Sequence, residues 1–97
     1  MINRIVKLSF TEPYCKEFEA NFPAIQKIVL SSAGCRSVRL LKSKEAGVYF
    51  TYSIWDNEEA LALYRNSDTF KNIWIEFKVQ FKNKAEAWTT SDISPEN

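Results

Sequence analysis

Residues 48–55, VYFTYSIW, decide how this chain folds. In an extended segment successive side chains face opposite ways, so Val48, Phe50, Tyr52 and Ile54 share one side, and Tyr49, Thr51, Ser53 and Trp55 the other. Neither side is mainly polar. A strand with one wet face alternates apolar and polar residues, so this segment predicts a sheet that is covered on both faces.

Working upstream, KSKEAG (42–47) supplies a turn from a second strand, CRSVRLLK (35–42). Before it, INRIVKLSF (2–10) reads as a strand with Val6, Leu8 and Phe10 on one face and Asn3, Ile5, Lys7 and Ser9 on the other. Thr11 offers an N-cap ahead of Glu12 and Pro13, and Tyr14, Phe18, Phe22, Ile25 and Val29 recur at helical spacing until Gly34. Pro23 within that pattern is expected to kink or restart the helix, because it lacks the amide proton and crowds the preceding turn.

Downstream, Asp56 stands three residues before Glu59, a capping-box-like start for a short helix through Tyr64. A second helix is expected from Ser67, with Phe70, Ile73, Trp74, Phe77 and Phe81 on one stripe. AEAWTT (85–90) closes as a short strand, and SDISPEN (91–97) is a polar tail expected to fray. The order β-α-β-β-α-β, with the second helix split, predicts an α+β ferredoxin-like domain over residues 1–90 with a four-stranded antiparallel sheet.

Composition narrows the function. Ninety-seven residues support one modest core, and 13 basic against 12 acidic residues leave no electrostatic footprint for nucleic acid. No apolar run is long enough to span a membrane, and the N-terminus lacks the features of a signal peptide, so the protein is expected to be soluble and cytoplasmic. Cys15 and Cys35 have no CxxC spacing and are expected to be small, reduced hydrophobes. There is no histidine, which removes imidazole-activated nucleophiles and the commonest zinc and haem ligand. Gly34 and Gly47 stand alone, so no glycine-rich phosphate loop exists.

In a ferredoxin-like domain the helices cover one sheet face and leave the other bare. A bare face bearing large apolar side chains calls for a cover. A homodimer stacking two sheets face to face supplies it.

The stretch YFTYSIWDNEEALALYRNSDTFKNIWIEFKVQFKNKAEAWTTS (49–91) resembles the second half of the antibiotic biosynthesis monooxygenase domain: a strand ending in tryptophan, an acidic helix start, an alanine-containing helix ending in tyrosine, a serine-phenylalanine step and an AEAW strand. NRIVKL and the glycine before the second strand agree with its first half. The resemblance implies a dimeric α+β barrel. It also implies one of several activities, since the family includes cofactor-independent oxygenases of phenols, anthrones and hydroquinones, haem-degrading members, and members without assigned activity.

In the haem-degrading branch an asparagine, a tryptophan and an iron-binding histidine recur; here Asn3, Tyr64 and Trp74 match those positions. An indole offers no lone pair to iron, so haem degradation is disfavoured. The resemblance then implies a cofactor-free monooxygenase acting on a small aromatic compound, with no metal and no cofactor. Asn3 and Tyr64 are its candidate catalytic residues, and Trp55, Trp74 and Phe70 its candidate substrate-binding walls. A non-catalytic dimeric binding or stress-related domain is the alternative, and isomerase or dehalogenase-like chemistry on the same fold is a third.

Each residue also has a plainer reading. Trp55 and Trp74 suit a small core, Asn3 an exposed strand end, and Arg4, Arg36 and Arg39 either an anion contact or a solvated or dimer-rim position. Glu58 and Glu59 suit a helix start, and Glu86 would act as a base only if buried.

Overall fold

In the computed structural model, which describes residues 1–96, seven elements follow one another: β1 (Ile2–Phe10), α1 (Glu12–Leu30), β2 (Cys35–Lys42), β3 (Val48–Trp55), α2 (Glu58–Arg65), α3 (Asp68–Lys78) and β4 (Phe81–Thr90). The strands form one antiparallel sheet in the order β2-β3-β1-β4. This is the ferredoxin-like α+β arrangement with a split second helix. Residues 91–96 carry neither helix nor strand, and Asn97, the last residue of the expected tail, lies outside the described residues.

Strand register sorts the sheet into two faces, because directly paired residues project to the same side. Arg4 pairs with Ser53, Val6 with Thr51 and Leu8 with Tyr49, and these residues face the helices. Leu8, Phe10, Phe18, Tyr49, Trp55 and Phe77 form the centre of that core, and Phe10 packs against Tyr14, Phe18, Phe77 and Phe81 with ring centroids 4.6–5.5 Å apart. On the opposite face the register runs Arg39, Tyr52, Ile5, Trp88 straight across all four strands. A parallel row runs Ser37, Ile54, Asn3, Thr90. No helix covers this face: Trp88 is 44% exposed and Leu41 52%.

Several local expectations are corrected. Pro23 lies within α1 and does not restart it: the helix is continuous over its 19 residues. Proline removes one intrahelical hydrogen bond, and the face carrying Phe18, Phe22 and Val29 stays anchored in the core on both sides of it. The cap of α2 is Asn57, whose Oδ1 accepts from the Ala60 amide at 2.9 Å, while Asp56 is engaged by the Arg36 guanidinium. The second helix after β3, α3, begins where expected, and Ser67 caps it, its Oγ accepting from the Phe70 amide at 3.2 Å. The last strand begins at Phe81 rather than Ala85, and α3 ends at Lys78, so Phe81 belongs to the sheet and not to the helix. Its pairing with Phe10 explains why. Both cysteines are half-buried free thiols.

Candidate functional site

Tyr64 sits in the last turn of α2, where the helical repeat turns it toward the end of β3. Its ring stacks on Trp55, with centroids 5.1 Å apart, and meets Phe70 edge-on at 5.3 Å. Phe70 and Trp74, one helical turn apart on α3, stack at 5.6 Å with planes only 15° from parallel. Trp74 continues the series to Phe81 at 5.5 Å. The aromatic residues singled out in the sequence therefore form one connected series from β3 through α2 and α3 to β4.

Beside this series, between the helices and the sheet, lies a cavity of about 270 Å³. Trp55, Tyr64, Phe70 and Trp74 all line it. Trp55 is also almost fully buried, so it serves core and cavity together. Its indole Nε1 donates to Ser53 Oγ at 2.9 Å, which fixes the ring plane and satisfies the donor.

Asn3 does not line the cavity. It pairs with Ile54 and Thr90, on the face of the sheet that the helices leave bare. Strand alternation gives the neighbouring place on the cavity side to Arg4. The structure thus brings Tyr64, Trp55, Phe70 and Trp74 together and leaves Asn3 apart from them.

The polar residues lining the cavity are few: Arg4, Thr51, Ser53, Tyr64, Arg65 and Glu86. Burial, with the Cys35 thiol nearby, pushes the Tyr64 hydroxyl up to about 12. It stays protonated, a hydrogen-bond donor at neutral pH. The Arg4 guanidinium donates from Nη1 to Thr89 Oγ1 at 2.9 Å. Desolvation first, and the charge of Arg65 second, lower its affinity for the proton. Glu86 pairs in the sheet with Lys7, a residue of the bare face, and is solvent-exposed.

Sequence reasoning grouped Val6, Leu8 and Phe10 without extending the alternation two residues back to Arg4, and it did not single out Arg65. The parity of Arg4 with Val6 was the available signal. Arg36 pairs with Asp56 outside the cavity, Arg39 lies in the row across the bare face, and Glu58 and Glu59 occupy the first turn of α2. Among the described residues no group of three His, Cys, Asp or Glu side chains gathers in a way that could hold a metal ion. No helix there is long and apolar enough to cross a membrane.

The profile of the antibiotic biosynthesis monooxygenase family matches residues 1–74, from β1 through most of α3. The chain belongs to this family. Among solved structures it is similar to Rv0793 of Mycobacterium tuberculosis, at 16% identity over 99% of this chain and 98% of that one, with a TM-score of 0.85. It is also similar to a Caulobacter crescentus protein assigned to the monooxygenase family, at 22% identity over 96% and 90% of the two chains and a TM-score of 0.84. A conserved protein from Methanosarcina mazei superposes with a TM-score of 0.82 at 19% identity, over 91% and 88%. At these identities the likeness is one of fold. No curated protein matches the chain.

Proposed function

We propose that this protein is a cofactor-independent monooxygenase of a small aromatic or phenolic compound, acting as a homodimer whose bare sheet faces stack on each other. The observation that carries the reading is the aromatic-lined cavity with the protonated Tyr64 hydroxyl at its wall, in a chain of the monooxygenase family. An apolar pocket with a few directed polar groups suits a planar, electron-rich ligand. Trp55, Phe70 and Trp74 hold the rings, and Tyr64 donates a hydrogen bond to the oxygen of the ionised substrate.

The chemistry asks little more of the chain. An ionised anthrone-type phenol gives an electron to dioxygen, and the two radicals combine as a peroxide on the ring carbon. Loss of water then leaves a carbonyl. One oxygen atom stays in the product and the other leaves as water, so the ring methylene supplies all the electrons and no external reductant is used. The apolar walls keep bulk water from the peroxide. Asn3 is assigned to the inter-sheet face, apart from the reaction.

Oxygen uptake with anthrones, phenols and hydroquinones tests this. Uptake that requires the folded protein and falls in Tyr64→Phe supports it, whereas ligand binding without uptake favours the alternative of a binding module built on the same cavity.

A further inference from the structure

Two guanidinium groups line one small apolar cavity, Arg4 from β1 and Arg65 from the last turn of α2. After desolvation, the charge of Arg65 is the second cause that lowers the proton affinity of Arg4. Among the described residues the ion pairs are Arg36 with Asp56 and Lys42 with Glu19; neither Arg4 nor Arg65 takes part in one. Arg65 has a partial structural reason to be where it is, since a cation at a helix C-terminus is favoured by the helix dipole. Arg4 has none of that kind. It is half-buried on a strand, and its one side-chain hydrogen bond, to Thr89, is with a neutral hydroxyl. A guanidinium carries five N–H donors, so most of its hydrogen-bonding capacity is unspent within the chain. Partial burial of the Arg4 charge, with a second cation on the same cavity and no counter-ion, is costly unless a ligand completes the site. Glu86 also lines the cavity, but it is solvent-exposed, pairs in the sheet with Lys7, and among the described residues forms no ion pair with either arginine.

We infer that the cavity is built for an aromatic molecule bearing a carboxylate, its rings among Trp55, Tyr64, Phe70 and Trp74 and its carboxylate held by Arg4 and Arg65. Planar guanidinium groups match a carboxylate by paired N–H donors. This inference rests on the cavity being the substrate site proposed above and names the class of substrate that enters it. It does not depend on turnover.

The test is calorimetric titration of the full chain at pH 7 with 2-naphthoate and with 2-naphthamide, which has the same rings and shape without the charge. The expected result is binding of the acid at least about tenfold tighter than the amide, in line with the strength of charge-assisted hydrogen bonds. Added salt narrows the gap. Arg65→Gln, a change at an exposed helix position, removes most of the preference while leaving the affinity for the amide within about twofold. Arg4→Gln does the same where far-ultraviolet circular dichroism shows the fold intact. Equal affinities for acid and amide, or a preference unmoved in Arg65→Gln, overturn the anion assignment and leave the cavity standing as an aromatic site. Binding of neither compound overturns the cavity reading as well. Failure of the oxygenase proposal is read separately, as absence of oxygen uptake.

Discussion

The rings of Trp55 and Tyr64 stack at 5.1 Å with planes 29° from parallel, so the end of β3 and the last turn of α2 share one wall of the cavity. Trp55 is 1% exposed and held by Ser53, whereas Tyr64 is only partly buried and presents the one phenolic hydroxyl of the site. One residue fixes the wall and the other provides its polar group.

Tyr64→Phe keeps that stacking and removes only the hydroxyl. Stability is expected to change by no more than about 1 kcal/mol. If the hydroxyl donates to the substrate oxygen, the rate of oxygen uptake on a phenolic substrate falls by roughly 10–100-fold, the low end to middle of what positioned proton donors and oxyanion donors contribute. Steady-state uptake with matched thermal melts separates the two effects.

The same hydroxyl has a signature at high pH. Its folded-state pKa, about 12, lies above the ordinary tyrosine value of 10.0. Between these values the folded chain therefore holds the proton that the unfolded chain has released. The stability contributed by neutral Tyr64 is complete below about pH 10 and is lost as pH rises toward about 12. Tyr49, also raised by burial and by its hydrogen bond to Glu19, declines in the same direction. Urea denaturation across pH 9 to 12 is expected to show a shallower loss in Tyr64→Phe than in the parent chain; parallel curves contradict the assignment.

Gly47 turns the chain between β2 and β3 at φ +80°, and its carbonyl accepts from the Phe10 amide at 2.9 Å. A Cβ at this position would stand 2.7 Å from the Phe10 carbonyl oxygen. Gly47→Ala therefore combines a left-handed backbone penalty of roughly 1–2 kcal/mol with a clash against backbone that cannot swing aside. The expected loss, measured by chemical denaturation, exceeds that penalty.

Much of this was legible from alternation alone. The two-sided pattern of residues 48–55 gave the sheet its two apolar faces, and helical spacing gave Phe70, Trp74 and Phe77 a shared side of α3. Where reading failed, two physical signals coincided. Phe81 fits the stripe of α3 at a spacing of four from Phe77, yet as a strand residue it pairs with Phe10, and spacing cannot distinguish the two. Asp56 looked like a cap because the sequence does not reveal that Arg36 lies within reach of it. Resemblance makes Asn3 a candidate for the site; strand parity, also present in the sequence, puts Asn3 on the bare face and its neighbour Arg4 on the cavity side.

The bare face gives the last prediction. Tyr52, Ile5 and Trp88 lie side by side across β3, β1 and β4, with Arg39 continuing the row on β2, and Phe50 and Ile54 flank it on β3. This is a contiguous apolar patch on a small domain, of the kind that marks a contact between proteins, and a two-fold stack buries the same rows against each other. In the proposed homodimer the solution mass is twice 11.3 kDa. Ile5→Asp puts a charge at the middle of that row and lines no part of the cavity. A carboxylate forced into an apolar interface without a partner costs several kcal/mol, so the variant is expected to run as a single 11.3 kDa chain by light scattering at micromolar concentration. Its far-ultraviolet circular dichroism should remain that of a folded α+β domain, because the core on the helix side is untouched. A parent chain that already runs at 11.3 kDa removes the stacked-sheet dimer from the proposal, and the apolar row would then need another cover.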